Sequence, residues 1–532
     1  MDEILNIYAT ALDEYKAKNF DAALKILERL RILAPNWAKA TLLEAYIFGA
    51  QKKFLSEIDA LQKSFAQCNV EDRFFKAEIL SRLGSAYHTI GETALSVENF
   101  LNSAELEENF SKKRIEISNA IFAANDSEKF SARDFKKLYD EYNKTFGDVK
   151  PFDKKIYRHK KLRIGYLSAD FRTHPVANFI FAPIHFHDRE KFSVYCYYSA
   201  KDFDEVTAHL KSAADFWRDV SDLNDEDAAK IIRDDEIDIL IELGGHTNKN
   251  RLAVMAYRPA NVQISGVGYM NSTGCNFVDY FLTDKFCAED LSAWKKFFTE
   301  KPSILPHSHF CYTPLKNFPS IGDAPCISKG YVTFGCFNNF NKVNDFMLET
   351  WQKILQRVPK SKLILKHKIF DGDEGKNFVR QRLQRLNFDL NFVELRGFTA
   401  NYRDEYRDID IALDTYPYTG GLTTCEALYM GVPVISLYGE RHGSRFGYSI
   451  LNNVGIGELA VKNREDYINL AAALANDFET LSILHKNLRG IMKNSPLMNV
   501  EKYVSDLEKI LGNIYAIIDL SLLSPDKISK NC

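Results

Sequence analysis

Four segments place polar or charged side chains directly after apolar, β-branched runs, where open α/β sheets present ligands. The first, SADFRTHPVANF (168–179), holds Asp170 and His174 in a loop opening a helix, with Pro175 suited to the first helical position. An imidazole titrates near neutrality, so His174 is a candidate general base, although a loop histidine is often purely structural. The second, ELGGHTNKNR (242–251), joins Gly244 and Gly245, which permit close backbone approach, to the donors of His246 and Thr247. A strand-end turn with a polar tip reads equally well. The third, FGCFNNFNKVNDF (334–346), projects Lys342 from a loop before a helix expected near Asn344. A lysine there could neutralise a phosphate as a compact point charge, or simply be solvated. Asn338, Asn339 and Asn341 could bond sugar hydroxyls or cap the helix.

The fourth segment, DIALDTYPYTGGLTTCEALYMGVPVISLYG (410–439), spells strand, glycine turn, short helix and strand. Gly420 and Gly421 allow close approach, and Thr423 and Thr424 begin a helix whose unpaired N–H groups favour an anion. Glu426, expected within the first turn, could accept bonds from ribose hydroxyls or complement the helix dipole. Diphosphate cradle followed by ribose acceptor suggests a nucleotide, although no GxxxxGK[ST] is present. Tyr416, Pro417 and Tyr418 could flank a ligand or merely pack. In RHGSRFGYS (441–449), Ser444 and Arg445 follow the last strand, and Arg445 suits a phosphate or an ion pair equally. HFHD near His185 and HSH near His307 offer no convergent third ligand, so no metal site is expected.

These groups need strands behind them. LRIGYLS, FSVYCYY, IDILIEL, VQISGVG and DYFLTD alternate with helical stretches, then an irregular Pro- and Gly-containing piece intervenes. YVTFGCF, KLILKH, FVELRG, IDIALDT and PVISLYG form a second series. Alternating strands and helices imply parallel sheets. Two series imply two doubly wound domains facing each other across one cleft.

Residues 1 to 110 show no strand and repeat loosely. Phe20 recurs as Phe54, a separation of 34, and a third copy runs from Tyr87. That period is the tetratricopeptide spacing, and a plain helical bundle is the alternative. Further helix continues to a charged, Pro-containing hinge before residue 159. The net charge of −3 over 532 residues argues against a nucleic-acid partner. No apolar run reaches the about 18 residues of a membrane span, and no secretory leader is visible. Nine cysteines scattered without a CxxC fit a reducing cytosol.

From about residue 160 to 515 the chain resembles glycosyltransferase family 41, in the bacterial branch called SPINDLY-like. RIGYLSADFRTHPV, ELGGHT, YRPANVQISGVGY, DYFLTD, LPHSHFCYTP, FGCFNNFNKV, DIALDTYPYTGGLTTCEALYMGVPVISL and RHGSRFG fall in the family's order. The resemblance implies an α/β GT-B fold, two facing Rossmann-like domains preceded by all-α tetratricopeptide-like repeats. It divides the chain into repeats (1–110), helical linker (111–158), acceptor-side domain (159–318), donor domain (330–515) and C-terminal tail (516–532). It implies an inverting transfer from a sugar nucleotide to a protein, with no cofactor and no metal required. N-acetylglucosamine from UDP-N-acetylglucosamine to Ser or Thr is the leading expectation. GDP-fucose to oxygen, and UDP-glucose to asparagine, are alternatives. By position, His174 matches the active-site histidine, Lys342 the diphosphate lysine and Asn339 an amide near the nucleotide sugar. Thr423 and Thr424 match the diphosphate-binding helix start, and Glu426 the ribose acid. Asp170, His246, Thr247 and Tyr269 fall where the family lines its cleft. Two departures bear on specificity: Met270 stands where relatives carry proline, and Tyr402 where many carry histidine. A sugar-nucleotide epimerase or a non-enzymatic repeat scaffold would be the readings from other classes.

Overall fold

In the computed structural model, which describes residues 2–69, 71–155 and 157–523, eight helices come first. They are α1 (Asp2–Lys16), α2 (Phe20–Leu33), α3 (Ala38–Ala50), α4 (Phe54–Gln67), α5 (Arg73–Ile90), α6 (Thr93–Leu106), α7 (Phe110–Ala124) and α8 (Ala132–Lys144). The first six pack as successive hairpins, and α7 lies against α6. Phe20 and Phe54 are the first residues of α2 and α4, so the spacing of 34 marks equivalent helix starts. The third hairpin breaks the period because α5 has 18 residues where α3 has 13. Gly91, left-handed at φ 84°, then ends α5 and turns the chain into α6. Fully buried Ala11 and Ala23 leave room for close helix contact, with Leu27, Leu30, Leu43 and Ile47 filling the gaps.

The chain resolves into two compact units that do not follow its linear order. One comprises residues 1–127 and 331–402, the other 128–330 and 403–532. The second unit holds seven parallel strands: β1 (Leu162–Ser168), β2 (Phe192–Tyr198), β3 (Phe216–Asp219), β4 (Ile239–Glu242), β5 (Val262–Gly266), β6 (Tyr280–Asp284) and β7 (Lys301–Leu305). Their order is β3-β2-β1-β4-β5-β6-β7, a doubly wound sheet whose direction switches between β1 and β4. Central β4 and β5 are buried at every position, as strands covered on both faces must be. The two edge strands, β3 and β7, are absent from the series expected from apolar runs. At an edge there is no second neighbour to demand a continuous apolar run, so β3 (FWRD) stays half exposed and β7 tolerates Pro302.

In the first unit, β8 (Thr333–Cys336), β9 (Lys362–Lys366) and β10 (Val393–Arg396) pair in parallel, β9 in the middle. The remaining strands, β11 (Ile411–Leu413), β12 (Val434–Leu437) and β13 (Ala460–Val461), are parallel within the second unit. β13 has two residues and leaves no sequence signal. A final helix, Val500–Leu523, runs through the expected 515/516 boundary, and the rest of the tail lies outside the described residues.

Candidate functional site

Asp414, the first residue after β11, organises the glycine turn. Its Oδ1 accepts the N–H groups of Thr415 (2.9 Å) and Gly420 (2.7 Å), and its Oδ2 accepts the Ser436 hydroxyl of β12 (2.7 Å). The loop is thereby folded back so that Gly420 abuts the helix Leu422–Tyr429. A Cβ at Gly420 would lie 2.5 Å from Thr423 Oγ1 and 2.6 Å from Thr424 Oγ1, so no other residue fits. Gly421 is the N-cap and supplies no side-chain acceptor to the helix start. Thr424 donates its hydroxyl to the Gly420 carbonyl (3.0 Å), fixing the turn from the helix side.

Glu426 is the fifth helical residue rather than a member of the first turn, because the helix begins at Leu422. It is buried, and its Oε1 accepts both Nη2 (2.8 Å) and Nε (3.1 Å) of Arg403. Arg403 therefore fixes the carboxylate. The two residues are too far apart in sequence for any helical spacing to have linked them.

His174 and Asp170 face each other in the loop after β1, His174 Nδ1 to Asp170 Oδ2 at 3.5 Å. Burial lowers the imidazole's pKa and Asp170 partly restores it, while burial raises the pKa of Asp170. On balance burial wins at His174, which favours the neutral imidazole, the form that can accept a proton. The helix that follows is Ala177–Phe186 with Val176 at its N-cap, so Pro175 sits in the entering turn and not at the first helical position. That helix carries Phe179, which packs on Phe310 at 4.4 Å between ring centroids. Phe310 in turn borders Gly421, where an added Cβ would lie 3.7 Å from its ring.

The GGHT loop is built around Glu242. Its Oε1 accepts the Gly244 N–H (2.7 Å) and its Oε2 the Gly245 N–H (2.8 Å). Gly245 has φ 52° and lies against Tyr269, leaving no room for a Cβ. His246 is buried between Tyr142 and Tyr269, its Nε2 2.8 Å from the Thr273 carbonyl, and burial lowers its pKa to about 4. Thr247 turns its hydroxyl back to the Gly244 carbonyl (2.7 Å). His246 and Tyr269 are thus each 1% exposed and support the loop from beneath. Met270 packs against the Gly443 backbone.

In the other unit, Lys342 ends a short 3-10 turn, Phe340–Lys342, and is itself buried. Exposed Asn339 caps that turn through its carbonyl, which accepts the Lys342 N–H at 3.0 Å. The helix Asp345–Arg357 starts where the sequence suggested, but its cap is Asn344, which accepts the Met347 N–H (3.0 Å), and not Asn338, Asn339 or Asn341. Asn341 reaches the helical repeats: its amide donates to Asp126 Oδ2 (2.6 Å), which also bonds His88 Nε2 of α5 (2.7 Å). Lys366, at the end of β9, is a further buried lysine, donating to the Gly397 carbonyl (2.7 Å) and Thr399 Oγ1 (3.0 Å). No motif had singled it out.

Of the two readings of Arg445, the structure supports the ion pair. It is buried, pairs with Glu289 and donates to the Phe286 (2.8 Å) and Gly439 (3.1 Å) carbonyls. Ser444 bridges Gly439 and Arg441. Among the described residues, one group, Cys287, His309 and His442, brings metal-ligating atoms within 4.8 Å of one another. Each already has a protein partner: Cys287 the Arg445 carbonyl, His309 the Asp284 carboxylate at 2.5 Å, and His442 the Thr283 hydroxyl at 2.9 Å. The arrangement is that of a hydrogen-bonded core. No described helix is long and apolar enough to cross a membrane, and no disulfide joins the eight cysteines within the described residues.

Residues 148–329 and 326–507 match the model of Glycosyl transferase family 41. The chain belongs to that family. A probable UDP-N-acetylglucosamine–peptide N-acetylglucosaminyltransferase SPINDLY of Arabidopsis thaliana is 38% identical over 363 residues, 67% of this chain and 40% of that protein. The like-named Petunia hybrida protein is 36% identical over 388 residues, 72% of this chain and 41% of that one. The chain thus spans about two-fifths of the length of the curated relatives it matches. Among solved structures, a lysine-to-methionine mutant of Thermobaculum terrenum O-GlcNAc transferase superposes with a TM-score of 0.85 at 27% identity, over 98% of both chains. With parallel sheets after an N-terminal helical array, this family 41 member has the GT-B fold.

Proposed function

We propose that the chain is an inverting protein glycosyltransferase that moves N-acetylglucosamine from UDP-N-acetylglucosamine to a Ser or Thr hydroxyl. The observation that carries this reading is the helix start at Gly420–Thr424, which has no side-chain cap and a glycine turn shaped by Asp414 for close backbone approach, the local form that suits a phosphate. Family membership and the printed activity of the SPINDLY relatives support the donor and acceptor classes. The acceptor oxygen would attack the sugar's anomeric carbon as the bond to the diphosphate oxygen breaks, its electron pair leaving with UDP. The acceptor proton passes to a base, for which the neutral imidazole of His174 is our candidate. Charge develops on the leaving diphosphate, and we assign its stabilisation to Lys342 and the N–H groups around Thr423 and Thr424. Asn339 and Glu426 are assigned to the sugar and ribose, Asp170 to His174, and the loop of His246, Thr247 and Tyr269 to the acceptor side. None of these roles calls for a metal or cofactor. The helical array, read as tetratricopeptide repeats, would recruit the protein acceptor, and described cysteines in no disulfide suit a cytoplasmic enzyme.

Calorimetric titration with UDP, GDP and UDP-N-acetylglucosamine tests the reading. UDP compounds should bind and GDP should not. Lys342→Ala should lose binding and transfer while keeping its melting temperature. Preference for GDP would instead make the chain a fucosyltransferase and point to Tyr402.

A further inference from the structure

Between β7 and the helix Pro325–Lys329 runs the irregular piece that the sequence marks off by its prolines and glycine. Its middle is held at two successive carbonyls. Arg489 donates to the Pro319 carbonyl at 2.8 Å, and Arg407 donates to the Ser320 carbonyl through Nη2 (2.8 Å) and Nε (3.0 Å). The residue beside these anchors is Phe318, which is half-buried.

The Phe318 ring makes two contacts of different kinds. The guanidinium carbon of Arg403 lies over it, 4.7 Å from the centroid, and the Tyr429 ring meets it edge-on with centroids 4.9 Å apart. Arg403 in turn directs one edge, Nη2 and Nε, at Oε1 of Glu426. A guanidinium donates only in its own plane, so a ring beneath it restricts the direction in which that edge can point. The π face also attracts the cation, which an aliphatic side chain of similar size would not do. Glu426 and Tyr429 are three residues apart on the helix Leu422–Tyr429 and so are neighbours on its surface. Phe318 therefore reaches this helix twice, directly at Tyr429 and through Arg403 at Glu426.

We propose that Phe318 is a positioning residue for the nucleotide's ribose, setting the Glu426 carboxylate through Arg403 so that it meets the ribose hydroxyls. Phe318 touches no substrate in this scheme. The assignment deepens the reading of Glu426 as the ribose acid and rests on it. The stretch of chain after β7 then takes part in donor recognition as well as joining two elements.

The test is calorimetric titration of the full chain with UDP and with 2′-deoxy- and 3′-deoxyuridine diphosphate, each lacking one ribose hydroxyl. At least one deoxy compound should bind wild type about tenfold more weakly than UDP, the worth of one hydrogen bond to a carboxylate. Glu426→Gln should shrink that ratio. Phe318→Leu, which keeps an apolar side chain but no π face, should shrink it to about twofold, by weaker UDP binding at unchanged binding of the deoxy compound. Phe318→Tyr should restore it. A merely structural strap would weaken all three ligands together. That result, or an undiminished ratio in Phe318→Leu, would overturn the proposal while the wild-type ratio still upholds Glu426 as the ribose acid. A wild type that binds UDP and both deoxy compounds equally would overturn the ribose reading, and the proposal with it. Should GDP prove the tighter ligand, the same ratios are read with GDP and its deoxy forms, because the ribose is common to both.

Discussion

At the scale of single residues, one methyl group at Gly420 would strike two threonine hydroxyls at once. Gly420→Ala must push the helix start aside, at about 1–3 kcal/mol, and UDP titration should show affinity falling at least as steeply. Gly421→Ala meets only the edge of Phe310 at ordinary contact distance and should bind nearly as wild type. Glu242 gives a pH signature. Burial raises its pKa from 4.5 to about 7 against the pull of the Gly245 and Gly244 N–H bonds. Between these values the folded chain keeps a proton that the unfolded chain has released. The contribution of this carboxyl, complete below pH 4.5, is therefore lost as pH climbs through about 7. Melting temperatures measured from pH 5 to 8 should fall more steeply for wild type than for Glu242→Gln, whatever the variant's starting stability. Some of this chemistry was legible in the sequence. Asp170 and His174 are four residues apart in one loop, and the structure brings them together. Arg403 was not legible, because its partnership with Glu426 depends on how a loop crosses a helix. For His246 the sequence showed a polar motif after a strand but not its burial or its bond to the Thr273 carbonyl, which depends on a partner 27 residues away.

At the scale of elements, what a strand's environment demands decides how visible it is. Strands covered on both faces announce themselves as apolar runs, as β1, β2, β4, β8 and β9 do. Edges such as β3 and β7, and the two-residue β13, need no such run and left none. The start of the helix after Asn344 was readable, although among four nearby asparagines the one that caps it was not, since each is chemically able to do so. The bond from Asn341 to Asp126 was not, because 215 residues separate the partners. That bond should hold the loop carrying Lys342 in place. Asp126→Asn keeps the shape but loses the charge shared by His88 and Asn341, at about 1–3 kcal/mol. We expect faster amide hydrogen exchange across residues 338–344 and weaker UDP binding, with Lys342 itself intact. Unchanged exchange in that segment would show that the loop holds itself.

At the scale of the whole molecule, the first unit unites the helical array with β8, β9 and β10. Glu374 accepts the Leu55 (2.5 Å) and Ser56 (2.9 Å) N–H groups at the start of α4, and Lys52 pairs with Asp371 at 2.6 Å. Removing residues 1–127 would strip these partners, so such a truncation should lose UDP binding and structure together, as circular dichroism and titration would show. The same attachment constrains how such an array can vary through evolution. Helices α4, α5 and the turn after α7 are each keyed by named side chains to fixed positions on the strand-bearing half. An extra hairpin inserted among them would put every downstream key out of register. Added ahead of α1, it would disturb none of them. An array of this kind can lengthen like a stalagmite, ahead of α1, while its later helices stay cemented to the strands.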